Sequence, residues 1–226
     1  MRTAYVPVGD LPLVNDLMSN WNVFEAECSA LLRAHPHNTK PLVDLQGRNK
    51  TPELKPSYVG KVQAVAIKIE PIVLDKVEYK LVFGTTEKQL KAKQELIASR
   101  TASLPFLRNW LVSHEKPVLH AGLFIIYPGA VINPHFGVHE SYIRVHICLE
   151  ANELALFSTE FDPPRTWAKK DVFGFLDYDV KHWVTFDAPE SSQRRVVFYI
   201  DIHGDYYSAY YPGGIERQRN LNSEIL

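Results

Sequence analysis

Short apolar runs separated by turn residues follow one another between Val118 and Ile202, and this spacing strongly limits the folds open to the chain. The runs predict six strands: Val118–Tyr127, Tyr142–Glu150, Leu154–Ser158, Asp171–Leu176, His182–Asp187 and Arg195–Ile202. Breakers lie between them, at Pro128–Gly129, Asp162–Pro164 and Ala188–Glu190. Many short strands at nearly regular spacing are typical of a sandwich or jelly roll and not of a parallel sheet.

The first third of the chain predicts helices and irregular segments in front of these strands. Ser19 is a candidate N-cap for a helix over Asn20–Ala34, because the apolar residues that follow it fall on one stripe. Two more strands and a further helix, opened by the capping box Thr86/Gln89, are predicted at Val62–Ile69, Val77–Phe83 and Thr86–Arg100. The expected fold class is therefore mainly β with flanking N-terminal α-helices.

The charge balance and the cysteine count limit the partners and the compartment. The 226 residues include 25 Lys and Arg against 26 Asp and Glu, so the basic excess of a nucleic-acid-binding surface is absent. The sequence has no apolar run of about 18 residues and no signal-peptide pattern, and its two cysteines are too few for a disulfide scaffold. We expect a cytoplasmic protein that binds neither nucleic acid nor membrane, with a homodimer as an open alternative.

Charged and imidazole side chains interrupt two of the predicted strands on one face only. Alternation along Tyr142–Glu150 places Arg144 and His146 together, opposite an apolar set of residues. Along the last strand it places Arg195 on the same face as Asp201. Such residues on otherwise apolar strands either line a cavity or face solvent.

Two histidines, His135 and His182, lie at the ends of extended segments near these strands. Together with inward-facing arginines they fit a divalent metal that holds an anionic ligand, because neutral imidazole binds metals such as iron and guanidinium binds carboxylates in a two-pronged manner. Spacing alone is also compatible with residues that bind neither a metal nor a ligand. Either histidine could be a surface or core residue, and Arg194–Arg195 could be a solvated turn.

A family resemblance is carried by motifs that occur in a characteristic order. These are Tyr127-Pro128-Gly129, Pro134-His135-Phe136-Gly137, Arg144-Val145-His146, Arg165-Thr166-Trp167, Asp171-Val172-Phe173, His182 and Arg195–Asp201. Together they resemble the aspartyl/asparaginyl β-hydroxylase family of iron(II)- and 2-oxoglutarate-dependent oxygenases, over roughly Ser103 to His203. The resemblance implies a double-stranded β-helix, the cupin-like jelly roll. Residues 1–102 would then form a front end with a β-hairpin, packed on an oxygenase core of residues 103–226.

The resemblance also implies a role for each candidate site residue. His135 and His182 would bind Fe(II), and Arg144 and His146 would contact 2-oxoglutarate or steady the metal end of the site. Arg195 would pair with the distal carboxylate of 2-oxoglutarate. The implied reaction consumes O2 and hydroxylates an unactivated carbon of a small molecule, an amino acid, an amino-acid derivative or a short peptide.

The sequence departs from the family pattern at several positions. Gly137 stands where most oxygenases of this chemistry carry a carboxylate, so we expect water or Asp179 to complete the iron site. A hydroxyl residue that helps to hold 2-oxoglutarate in family members is replaced by Phe124, and the segment from Trp167 to His182 is one residue longer. An open slot at Gly137 leaves a halogenase as an alternative, and a non-catalytic jelly-roll binding protein is another.

Substrate selectivity is expected from segments outside the strands. The large animal members of the family carry a long helical-repeat region that does not occur in this sequence, which favours a small substrate over a folded protein. Candidate lids are the proline-rich segment His35–Tyr58 and a tyrosine-rich tail, for which packing over the sheet or a dimer contact is the simpler interpretation. The tail residues are Tyr206, Tyr207, Tyr210 and Tyr211.

Overall fold

The computed structural model describes residues 3–34, 40–41, 62–69, 101–137 and 142–223, together with Glu95, Ala98 and Ser99. The strands are β1 Tyr5–Val6, β2 Lys40–Pro41, β3 Val62–Ile69, β4 Val118–Ile126, β5 Val131–His135, β6 Tyr142–Glu150, β7 Ala155–Thr159, β8 Val172–Phe175, β9 His182–Phe186 and β10 Arg195–His203. The helices are α1 Pro12–Ser19, α2 Trp21–Ala34, α3 Pro105–Ser113, α4 Gly204–Tyr210 and α5 Gly214–Ser223. No helix in these described ranges is long and apolar enough to span a bilayer.

The strands form two antiparallel sheets. The larger sheet has the order β1-β8-β6-β10-β4-β3-β2, and the smaller has the order β5-β9-β7. An apolar core holds side chains of both sheets, including Ile126 and Val197 from the larger and Phe157, Val184 and Phe186 from the smaller. Two antiparallel sheets packed around a shared interior confirm the expected double-stranded β-helix.

A second apolar core lies on the other face of the larger sheet, under the N-terminal helices. Phe198 of β10 packs edge-on against Phe24 of α2 at 5.0 Å between ring centroids, and against Trp110 of α3 at 6.0 Å. Strand alternation decides which side chains enter each core. Ile143 and Val145 of β6 therefore face the helices, whereas their neighbours face the interior between the sheets.

The six strands predicted between Val118 and Ile202 are confirmed to within one residue at each end. Strand β5 was not predicted, because Pro134 interrupts its apolar pattern. The structure accommodates this proline at a register irregularity between Ile132 and His135, which is where a sheet tolerates proline. The prediction that Ser19 caps a helix was wrong, since Ser19 ends α1 and the carbonyl of Asn20 accepts the first hydrogen bonds of α2.

Parts of the front end belong to the larger sheet. Strand β3 pairs with β4, and β1 pairs with β8, so the sheet continues across the division expected at residue 102. The predicted strand Val77–Phe83 and most of the helix Thr86–Arg100 lie outside the described residues, as does the segment His35–Tyr58 apart from β2. Helices α1 and α3 begin with a proline, which the first helical turn accepts because its N–H groups have no intrahelical partner.

The tyrosine-rich tail forms α4 and the C-cap residue Tyr211 that follows it, and it packs against the body of the protein. Tyr207 is buried in the helix-side core and stacks on Tyr211 at 4.9 Å. The hydroxyl of Tyr211 accepts a hydrogen bond of 3.1 Å from the backbone N–H of Asp10. These contacts agree with the packing interpretation of the tail.

Candidate active site

A small cavity of about 60 Å³ lies between the two sheets. Its walls are mainly apolar, formed by Val62, Phe124, Ile126, Ile132, Phe157, Phe175, Val184 and Val197. Its polar lining consists of His135, Arg144, His146, His182 and Arg195, which are the five candidate site residues. The structure thus brings together residues from β5, β6, β9 and β10, whereas their chemical roles remain predictions.

The two candidate metal ligands face each other at one end of the cavity. His135 ends β5 and His182 begins β9, the two residues are paired in the sheet, and their ring centroids are 4.3 Å apart. The Nδ1 of each ring is hydrogen-bonded to the carbonyl two residues earlier, Asn133 at 2.8 Å and Val180 at 2.9 Å. A backbone carbonyl on one ring nitrogen, with the other nitrogen turned to the site, is the usual arrangement of metal-binding histidines.

Burial and the neighbouring His182 lower the pKa of His135 to about 4. The imidazole of His135 is therefore neutral at physiological pH, as a metal ligand requires. Across residues 3–34, 101–137 and 142–223, no three His, Cys, Asp or Glu side chains form a group that could hold a metal ion. The folded chain consequently offers a two-imidazole arrangement at this end of the cavity.

Sequence reasoning missed a carboxylate beside the histidine pair. Asp177, in the connection between β8 and β9, places Oδ1 3.2 Å from Nε2 of His182 and 3.1 Å from Nη1 of Arg144. Burial alone would raise the pKa of Asp177, but the charge of Arg144 and the hydrogen bond with His182 hold it well below its usual range. Asp179, which the sequence offers as an alternative to water for completing the iron site, instead accepts a hydrogen bond of 2.9 Å from Arg219 of α5.

The side chain of Asp177 occupies the space next to Gly137. A Cβ added at Gly137 would lie 2.0 Å from Oδ2 of Asp177, and the backbone N–H of Gly137 donates a 2.6 Å hydrogen bond to the Asp177 carbonyl. The expectation of an open slot at Gly137 was therefore wrong. The only signal in the sequence was the acidic loop before His182, whose extra residue obscured which aspartate turns inward.

Arg144 is engaged by two buried carboxylates. Its Nε and Nη2 donate to Asp201 at 2.7 and 2.9 Å, while Nη1 donates to Asp177. Asp201 also lies 3.1 Å from Nδ1 of His120. Arg144 therefore belongs to an ionic network at the histidine end of the cavity, and all three of its polar nitrogens are used.

His146 lies between the two ends of the cavity and is buried among aromatic rings. Those rings belong to Phe124, Phe157, Trp167, Phe173 and Phe175, with centroids 5.2–6.3 Å away. Neither of its ring nitrogens has a hydrogen-bond partner among the described residues. Burial, with a further contribution from the charge of Arg195, holds its pKa well below the usual value, so the ring is neutral.

Arg195 forms the opposite end of the cavity. It is 1% exposed, and its Nε and Nη1 have no hydrogen-bond partner in the described part of the chain. Burial lowers its pKa to about 9, so it stays charged at neutral pH. Arg194 points the other way and donates two hydrogen bonds to Glu150, at 2.9 and 3.1 Å. Alternation along β10 thus selects Arg195 as the inward-facing member of the pair.

Comparison with known proteins identifies the family. A sequence model described as aspartyl/asparaginyl beta-hydroxylase matches residues 62–204, which include every residue that lines the cavity. No match of significance was found among the curated proteins.

Similar solved structures include KdgF from Halomonas sp., which is 11% identical, covers 67% of this chain and 84% of its own, and has a TM-score of 0.34. An RmlC-like cupin family protein with a double-stranded beta-helix fold from Methanocaldococcus jannaschii is 12% identical, covers 42% and 77%, and has a TM-score of 0.30. A predicted oxalate decarboxylase from Thermotoga maritima is 14% identical, covers 41% and 71%, and has a TM-score of 0.31. Because the family match spans more than half of the chain, this protein belongs to the aspartyl/asparaginyl β-hydroxylase family.

Proposed function

We propose that the protein is an iron(II)- and 2-oxoglutarate-dependent dioxygenase that hydroxylates an unactivated carbon of a small molecule, such as an amino acid, an amino-acid derivative or a short peptide. One observation carries the proposal: the buried Arg195, whose Nε and Nη1 have no hydrogen-bond partner among the described residues, shares a cavity with the His135–His182 pair. A buried guanidinium without a counter-charge is strongly unfavourable. A ligand that places one carboxylate at Arg195 and reaches the histidines with its other end would neutralise this buried charge.

The donor set at the histidine end fits iron(II). His135 and His182 would hold the metal through Nε2, with the carbonyls of Asn133 and Val180 fixing the ring orientations. At His182 the metal would replace the present contact between Nε2 and Asp177. Bound iron(II) together with 2-oxoglutarate would supply the activation of O2 that hydroxylation needs. The negative charge of Asp177 beside His182 favours a cation at this position.

The rest of the cavity fits the cosubstrate. Arg195 would bind the distal carboxylate through two N–H groups, a geometry that guanidinium provides and ammonium does not. The apolar walls, including Phe124 and Val197, exclude water from this contact and so strengthen it. Position 124 offers no hydroxyl to assist Arg195, since Phe124 is an apolar part of the cavity wall and its ring stacks on Tyr199 at 4.3 Å.

The position of Asp177 favours hydroxylation over halogenation. A halide bound beside Gly137 would lie against the carboxylate of Asp177 and be repelled by it. We expect a substrate to gain one oxygen whether the buffer contains chloride or bromide. Mass spectrometry of the product tests this, and an added mass that follows the halide would contradict it.

The proposal is tested by anaerobic titration of the protein with iron(II) and 2-oxoglutarate. An oxygenase of this class should develop a visible charge-transfer band, whereas a non-catalytic binding protein should not. Arg195→Lys should weaken 2-oxoglutarate binding by about tenfold or more because the two-pronged contact is lost. Arg194→Lys is the matched control and should bind as the wild type does, since Arg194 faces Glu150 outside the cavity. Equal losses in the two variants would refute the assignment of Arg195.

A further inference from the structure

Arg195 has no acidic partner in the described residues, yet a long flexible side chain must be held still to serve as a carboxylate site. We propose that Trp167 is the residue that positions Arg195, by stacking its indole face against the guanidinium. The proposal rests on the proposed function, because it concerns the end of the cavity assigned to the distal carboxylate of 2-oxoglutarate.

The contact between the two residues is close and fully enclosed. Cζ of Arg195 lies 3.4 Å from the centroid of the Trp167 ring, directly over its face. Trp167 is 3% exposed and Arg195 is 1% exposed, so water does not screen the interaction. A desolvated cation over an indole ring is attracted to the ring more strongly than an exposed one.

Trp167 is itself held rigidly by its surroundings. Its ring packs edge-on against Phe173 at 4.6 Å and Phe157 at 5.9 Å. Two residues earlier, Arg165 exchanges backbone hydrogen bonds of 2.8 and 3.0 Å with Phe157, and its guanidinium lies over the ring of Phe173 at 4.5 Å. Within the Arg165-Thr166-Trp167 motif, Arg165 thus covers the ring of Phe173, while Trp167 packs against Phe173 and Phe157 and lies under Arg195.

Stacking suits this task better than an ion pair. A carboxylate would occupy the N–H edge of Arg195 and compete with the ligand, as Asp201 and Asp177 occupy Arg144. An aromatic face contacts only the flat side of the guanidinium and leaves the N–H groups available. Nε and Nη1 of Arg195 are indeed without hydrogen-bond partners within the described residues. Trp167 therefore orients the charge without neutralising it.

The test compares Trp167→Phe, which keeps an aromatic face but removes the indole N–H, with Trp167→Leu, which removes the face. Binding of 2-oxoglutarate, measured by calorimetry with Mn(II) in place of iron, should weaken about tenfold in Trp167→Leu and by less than about threefold in Trp167→Phe. In the ligand-free protein, the Arg195 Hε NMR signal should be shifted upfield by the ring current, and this shift should vanish in Trp167→Leu.

A matched control removes another buried indole. Trp110→Leu alters the helix-side core, away from the cavity, and should lower thermal stability without changing 2-oxoglutarate affinity. Unchanged affinity in folded Trp167→Leu, or equal losses in Trp167→Phe and Trp167→Leu, would overturn the role of the ring face. Absence of 2-oxoglutarate binding in the wild type would instead overturn the proposed function, and the ring-current shift would still report whether the stack forms.

Discussion

Arg144 and Arg195 line the same cavity but are held in opposite ways. Arg144 donates to Asp201 and Asp177 through all three nitrogens, whereas Arg195 rests on the face of Trp167 with Nε and Nη1 unpaired in the described structure. The charge of Arg144 is therefore balanced within the protein. Under the proposed function, the charge of Arg195 would be balanced by the carboxylate of bound 2-oxoglutarate.

Under the proposed function, this difference separates a structural end of the site, at Arg144, from the end that would bind 2-oxoglutarate, at Arg195. A balanced ionic network is costly to break, because removal of one partner leaves another buried charge alone. An unbalanced charge is costly to keep, and stability is gained only when a ligand neutralises it. Replacement of the arginine by methionine should therefore change the free energy of unfolding in opposite directions at the two ends of the cavity.

The largest expected effect is on stability, at Arg144. Arg144→Met should lower the free energy of unfolding by about 3–5 kcal/mol, because Asp177 and Asp201 would remain buried without their guanidinium. Urea unfolding at pH 7 measures the change. A loss below about 1 kcal/mol, typical of an exposed ion pair, would show that the network does not balance the charge as the geometry indicates.

The next effect concerns the histidine end. His182→Ala removes one of the two imidazoles and should weaken iron(II) binding by more than about 100-fold, beyond the loss caused by altering an outer-shell partner. Anaerobic metal titration measures it. His114→Ala is the control, because His114 pairs with Asp16 of α1, remote from the cavity, and its removal should leave iron binding unchanged.

Arg195 should show the opposite sign from Arg144. Arg195→Met should raise the free energy of unfolding of the ligand-free protein by about 1–2 kcal/mol, because an apolar chain of similar length replaces a buried charge that has no acidic partner among the described residues. The variant should also lose the stabilisation that 2-oxoglutarate gives the wild type. Arg194→Met, which breaks only the half-exposed pair with Glu150, should change stability by less than about 1 kcal/mol. Destabilisation by Arg195→Met would remove the contrast between the two arginines.

The smallest expected effect is the pH dependence of the destabilisation caused by Arg144→Met. Burial alone would raise the pKa of Asp201, but the charge of Arg144 and the hydrogen bonds from His120 and Arg144 outweigh it and lower the pKa. A depressed folded-state pKa contributes stability above the unfolded value, near 4, and this stability is lost as the pH falls through the folded value. The stability gap between the wild type and Arg144→Met should therefore narrow below about pH 4. Urea unfolding between pH 3 and pH 7 checks this, and a constant gap would contradict it.

Strand periodicity made much of the site predictable. Side chains alternate strictly along a strand, so an apolar set on one face assigns the other face without knowledge of the partner strands. This rule places Arg144 with His146 on one face of β6 and Arg195 with Asp201 on one face of β10, whereas the family resemblance indicated that these faces line the site. The family motifs then predicted that these strands meet His135 and His182, and the structure places all five residues in one cavity.

Only the tertiary structure shows which loop residues belong to the site, because loops have no periodic pattern. The connection between β8 and β9 has no repeating pattern, so nothing in its sequence distinguishes Asp177 from Asp179. Packing does distinguish them, because the backbone bond to Gly137 draws Asp177 inward while Arg219 of α5 holds Asp179 outside. The stack of Trp167 under Arg195 likewise joins a loop to a distant strand. By itself the sequence determined which strand faces carry the polar residues, because that depends on local geometry. Only the tertiary structure decided how each charge is paired, because the pairing depends on contacts between segments far apart in the chain.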